Sequence, residues 1–136
     1  MARTPSKPWW RRWFGSRAER SAAQFLKRLG YRILKQNYSC KLGELDLVAL
    51  DGPCVVFVEV RSTEKPESSG PAASVDRAKQ ERLTRLALFF LQKYRLLDHA
   101  ARFDVLTVSW PAGRGAPVID HYKGAFEATG RFQMFS

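Results

Sequence analysis

Hydrophobic positions recur at helical spacing in two stretches of the chain and at strand spacing in five. Ala18, Ala22, Phe25, Leu26 and Leu29 trace one face of a helix predicted from about Ser16 to Leu29, with Gly30 placed to end it. Val75, Leu83, Leu86 and Phe90 mark the apolar stripe of a second helix, predicted from just after Ser74 to about Arg95. Lys79 falls on that stripe, four residues from both Val75 and Leu83, where a charge needs a partner or a route to solvent. Tyr31 to Tyr38 reads as a first strand, with Ser39 to Leu42 as the turn after it. Leu45 to Leu50, Val55 to Val60, Phe103 to Trp110 and the shorter Val118 to Tyr122 supply four more. Between the third strand and the second helix, Ser62 to Ala73 is rich in Ser, Pro, Gly and charge, a loop long enough to be functional or to close over a bound strand. The order α-β-β-β-α-β-β predicts an α/β domain with a mixed sheet flanked by helices, the third and fourth strands parallel across the second helix.

Strands two and three carry acids where strand interiors are normally apolar. The Asp51-Gly52-Pro53 break between them is a hairpin signal, although Pro53 argues for a loop longer than two residues. Centring the turn between Gly52 and Pro53 sets Leu50 opposite Val55, Asp46 opposite Glu59 and Glu44 opposite Arg61. Opposed side chains in an antiparallel pair lie within about 5.5 Å at Cβ. Two carboxylates would then share one face, an arrangement that asks for a cation or for open water. A hard divalent ion is one explanation, since magnesium is commonly held by one or two carboxylates plus a phosphate. A solvated face with surface ion pairs is the other. The run Val55-Val56-Phe57-Val58 suggests a central strand, in which an idle Glu59 is out of place.

Charge extends this picture. Lys and Arg number 23 against 13 Asp and Glu, a formal net charge of +10 over 136 residues, which favours polyanionic partners or anionic surfaces. The length predicts one domain. Cys40 and Cys54 form no CxxC pair, and His99 and His121 lack zinc-ligand spacing, so both thiols are expected to be reduced and packed. No apolar run is long enough to span a bilayer, and a cytoplasmic location is expected. Residues 1–17 hold five basic residues, no acid, and Trp9, Trp10, Trp13 and Phe14. Residues 1–15 are expected to be a mobile arm, able to stack on bases, rest on headgroups or pack on the domain, with 16–136 as the folded unit.

The segments Gly43-Glu44-Leu45-Asp46-Leu47 and Val56-Phe57-Val58-Glu59-Val60-Arg61 resemble the acidic core of the PD-(D/E)XK nuclease superfamily, and most closely the YraN family of nuclease-like proteins. Arg102-Phe103-Asp104-Val105 and Ala125-Phe126 are similar to later segments of that family, so the resemblance covers about residues 15–126. It implies a restriction-endonuclease-like fold, Asp46 and Glu59 as ligands of one or two Mg²⁺ or Mn²⁺ ions, and Arg61 at the position of the signature Lys. Thr63 stands where the family commonly has Arg. Because a guanidinium keeps its proton, Arg61 is suited to stabilising a phosphate and not to moving a proton. The family's Gly-Glu-x-x-Ala pattern, with Ala18 in place of Gly, makes Glu19 a third acid for the metal; Ser16 to Glu19 also reads as a capping box. The same resemblance directs Lys79 toward the scissile phosphate. Asp104 either supports the site or bonds backbone near its strand start.

Asp46, Glu59, Arg61 and Lys79 are therefore the expected catalytic residues of a metal-dependent endonuclease acting on DNA, with Glu19, Asp46 and Glu59 as the metal set. One alternative is a non-catalytic nucleic-acid-binding protein with a nuclease fold. Another is an interaction module docking through the basic, Trp-rich arm. A homodimer is compatible with either class.

Overall fold

The computed structural model describes residues 9–63 and 75–128, with side chains from Arg17 onward. Helix α1 spans Trp9–Arg28 and is followed by strands β1 (Arg32–Cys40), β2 (Gly43–Asp51) and β3 (Cys54–Thr63). Helix α2 (Arg77–Lys93), β4 (Ala101–Ser109) and β5 (Val118–Phe126) complete the order α-β-β-β-α-β-β. The five strands form one sheet in the order β1-β2-β3-β4-β5, antiparallel except for the parallel pair β3–β4. This is the expected mixed α/β architecture.

Each helix covers one face. Ala22, Ala23 and Leu26 of α1 pack with Tyr31, Leu47, Ala49, Val56, Val58 and Leu106. Leu83, Leu86, Ala87, Phe90 and Leu91 of α2 pack with Val48, Val55, Phe57, Phe103 and Val105 on the other face. Strand period two delivers alternate residues of β3 to the two layers, Val55 and Phe57 to α2, Val56 and Val58 to α1. Phe90 anchors the α2 layer, its ring centroid 5.2 Å from Tyr38, 5.8 Å from Phe57 and 4.6 Å from Tyr94.

The boundaries depart from expectation at several places. Helix α1 begins at Trp9 and runs through Ser16, so Ser16 is not an N-cap and the capping-box reading of Glu19 does not hold. Arg and Trp are serviceable helix residues, Gly15 alone costs only about 1 kcal/mol, and Trp10, Trp13 and Phe14 continue the helical spacing upstream of Ala18. Residues 9–15 of the expected arm are thus helical, and residues 1–8 lie outside the described residues. Leu29 is half exposed because the helix has already ended at Arg28, where Gly30, at φ 98°, turns the chain and Tyr31 N–H reaches back to the Leu26 carbonyl. The β2–β3 turn is tighter than Pro53 suggested. Asp51 pairs with Cys54, leaving Gly52 and Pro53 as a two-residue loop, because Gly52 takes φ 58° and leaves Pro53 the second position. The loop expected over Ser62 to Ala73 begins later, since β3 continues to Thr63; residues 64–74 lie outside the described residues.

No described helix is long and apolar enough to cross a membrane. Replacing Phe90 by Ala should destabilise the domain by about 3–5 kcal/mol, because three aromatic partners face the cavity it leaves. Urea unfolding followed by circular dichroism should show a lower midpoint at an unchanged slope.

Candidate functional site

The ladder between β2 and β3 runs from Asp51–Cys54 to Leu47–Val58 and then stops. Its register is the one the hairpin predicts, with Leu50 opposite Val55. Beyond it the strands part company. β2 continues beside β1 as far as Gly43 opposite Cys40, and β3 continues beside β4 as far as Thr63 opposite Ser109. Asp46 and Glu59 sit at the fork, one on each branch. They are not a ladder pair, and Glu44 lies across from Ser39 of β1 instead of Arg61. Opposed like charges disfavour pairing there, and the Asp46 carboxylate replaces the missing backbone partner by accepting the Val60 N–H at 2.9 Å. The alternation of β2 slips at the same point, with Leu45 in the α2 layer and Leu47 in the α1 layer.

Asp46 and Glu59 line one hollow with Leu45, Phe57, Leu83 and Phe103, under the first turns of α2. The helix is capped by Asp76, whose carboxylate accepts the Lys79 N–H at 2.8 Å. Side chains in a helix lean toward its N-terminus, and Lys79 accordingly reaches Glu59, placing Nζ 2.5 Å from Oε2. This ion pair is partly shielded, the Glu59 side chain 14% and the Lys79 side chain 34% exposed. Arg61, two residues along β3, approaches the same oxygen with Nε at 3.9 Å. Four of the expected site residues, Asp46, Glu59, Arg61 and Lys79, are therefore neighbours, and Lys79 holds the closer cationic contact.

Glu19 is buried on α1, the helix of the opposite layer. Among the described residues no three His, Cys, Asp or Glu side chains gather into a group able to hold a metal. Asp46 and Glu59 are the carboxylate pair of the fork, and both offer hard oxygen donors.

A second polar cluster was not legible in the sequence. Asp104, fully buried, accepts from Arg102 Nε at 2.9 Å and from the Gly124 N–H at 3.0 Å, and lies 2.7 Å from His121 Nε2. Arg102 also donates to Asp51 at 3.0 Å and to the Tyr31 hydroxyl at 2.7 Å. Of the two readings of Asp104, the bond to backbone is present at the Gly124 N–H, while its other partners are side chains drawn from two strands. The cluster sits where β5 bulges: Phe103 opposes Phe126 while Val105 opposes Tyr122, and Gly124 takes φ 60°. Burial alone would raise the Asp104 carboxyl, but bonds from His121, Arg102 and Gly124 outweigh it and hold the group below the ordinary carboxylate value. The same burial lifts the neighbouring Cys54 thiol. The only sequence signal was the pairing of Arg102 and Asp104 on one strand face; His121 comes from the next strand.

The mixed five-stranded sheet and its two covering helices define a restriction-endonuclease-like α/β domain. The model of Uncharacterised protein family UPF0102 matches residues 18–108, and the chain belongs to that family, consistent with the YraN resemblance. A UPF0102 protein from Pseudomonas syringae pv. syringae is 46% identical over 115 residues, covering 84% of this chain and 93% of its own. One from Syntrophus aciditrophicus is 45% identical over 114 residues, covering 83% and 87%. Another, from Rhodopirellula baltica, is 41% identical over 119 residues, covering 85% and 71%.

Because its carboxyl is held below the ordinary value, Asp104 contributes stability that is complete above the unfolded carboxylate pKa of about 3.9 and is lost as pH falls through its lower folded value. Asp104→Asn should cost about 2 kcal/mol at neutral pH by removing the charged acceptor of Arg102 and His121, with Arg102 keeping its bonds to Asp51 and Tyr31. The loss should shrink at acid pH, a convergence that denaturant titrations of both proteins across the acid range will show or exclude.

Proposed function

We propose that this chain is a metal-dependent nuclease-like protein that hydrolyses DNA phosphodiesters in the cytoplasm. The observation that carries the reading is the parting of β2 and β3 at Asp46 and Glu59, with the Lys79 ammonium already bonded to Glu59. Acids that stop a ladder and sit against a cation have the chemistry of a cation site, and the ammonium shows that the hollow accepts positive charge at Glu59. Asp46 and Glu59 would hold Mg²⁺ or Mn²⁺ through oxygen donors, the remaining positions being left to water and a phosphate. The ion would supply Lewis-acid polarisation of a phosphoryl oxygen and acidification of water.

The chain's own residues do the rest. Asp46 is oriented by the Val60 N–H, so its position is set by the strand and not by a free rotamer. Arg61 and Lys79 place two positive charges beside the same carboxylate, where they would neutralise charge developing on a transferring phosphoryl group. Arg61 orients and stabilises; it keeps its proton throughout. The net charge of +10 favours a long polyanion over a small acidic substrate. The second reading, a DNA-binding protein without turnover, is favoured by the replacement of the signature Lys by Arg61.

Cleavage assays in Mg²⁺ and Mn²⁺ on duplex, single-stranded and branched DNA separate these readings. Asp46→Ala and Glu59→Ala should abolish cleavage while DNA affinity in metal-free buffer holds or rises. Asp46→Ala should cost about 1 kcal/mol of stability through loss of the bond to Val60. Arg61→Lys should raise cleavage. Full cleavage by both acid variants would remove the site from consideration, and binding without cleavage by every variant and by the parent would establish the non-catalytic reading. Affinity should fall steeply with salt, by about 0.9 logarithmic units per neutralised phosphate for each tenfold rise in salt.

A further inference from the structure

We propose that Lys79 couples metal and DNA, occupying Glu59 when both are absent and releasing it to the metal when a phosphate is there to receive the ammonium. This inference rests on the metal-site reading above and concerns the order in which that site fills. The Lys79 ammonium lies 2.5 Å from Glu59 Oε2 and the Arg61 Nε 3.9 Å from the same oxygen, so both cations crowd the carboxylate that a divalent ion would use. A divalent cation on Glu59 would bring two units of positive charge within a few ångströms of a third, a repulsion that a partly shielded site does not screen away. The ammonium must leave for the ion to enter.

Lys79 is built to leave. Its backbone N–H is held by the Asp76 cap, while its side chain is a flexible four-carbon stem that is 34% exposed. Nearby acids offer no equal alternative, since Asp76 already accepts the Lys79 N–H and Glu81 pairs with Arg77 at 3.5 Å. Without DNA the displaced ammonium exchanges a close carboxylate for water, and that loss is subtracted from the affinity for metal. With a phosphodiester beside the hollow, the ammonium exchanges one anion for another. Metal and DNA then strengthen each other's binding by the same factor, as linkage requires. Lys79 acts in this way as a brake on loading the acids before substrate arrives.

The test is calorimetric titration of the full-length protein with Mn²⁺, alone and with a hydrolysis-resistant phosphorothioate DNA duplex. The parent should bind Mn²⁺ weakly alone and on the order of tenfold more tightly with DNA, a tenfold change corresponding to about 1.4 kcal/mol. Lys79→Met should bind Mn²⁺ about tenfold more tightly than the parent without DNA and gain little from DNA, whereas Lys79→Arg, which keeps the charge, should behave as the parent. Thermal melts confirm that each variant is folded, with Lys79→Gln replacing the Met variant if that one is not. If Lys79→Met binds Mn²⁺ no more tightly than the parent, while Asp46→Asn abolishes binding, the coupling is wrong and the metal site stands. Tighter binding with the DNA effect undiminished overturns the coupling as well. If no variant and not the parent binds Mn²⁺, the metal site and the coupling fall together.

Discussion

Carboxylates placed opposite one another weaken the pairing of two strands, and the fork between β2 and β3 falls where Asp46 and Glu59 would face each other. The strands pair while their residues are apolar, from Cys54 to Val58 on β3, and part where Glu59 and Asp46 would meet. Everything that gives the site its shape follows from this parting. The Asp46 carboxylate bridges the gap to Val60, β2 stays with β1, β3 stays with β4, and α2 brings Lys79 down to the opened edge. The fork is thus a break in hydrogen bonding that side chains repair, and the repair fixes the orientation of the acid doing it.

The two layers of the domain carry two polar systems with different duties. On the α2 layer, Glu59 meets the partly exposed Lys79 and Arg61 side chains at an open-sided hollow. Asp104 is fully enclosed and its bonds come from Arg102, His121 and the bulged backbone at Gly124, so it holds β5 to β4 where regular pairing is interrupted. Removing either set of partners would leave a buried charge, and that makes the network a fixed element of the fold.

Much of the architecture was legible because its signals are local. The Gly52-Pro53 break set the β2–β3 register correctly, and the stripes at Leu26 and Phe90 placed both helices on the sheet. What local patterning could not give was the point where pairing ends, since β-prone residues continue on both sides of Asp46 and of Glu59 with no Gly or Pro next to either acid. The early start of α1 was legible in Trp10, Trp13 and Phe14, which continue the helical spacing upstream of Ala18, but the basic residues among them favoured an arm. Lys79 was singled out by its misplacement on an apolar face, but its bond to Glu59 depends on how α2 crosses the sheet. His121 was unreadable as the partner of Asp104 because strand neighbours in a sheet are chosen by topology, and the bulge at Gly124 shifts them again.

The parallel pairing of β3 with β4 has a bearing on how the site comes into being. A two-residue hairpin closes quickly, while a parallel pair must wait for the whole crossover that carries α2. Asp46 and Glu59 belong to the hairpin, but Lys79 lies 20 residues beyond Glu59, inside the crossover. A chain caught between these events holds an acidic notch with no ammonium across it. The charge balance of the fork is therefore a property of the completed topology, reached only when the last non-local strand has docked.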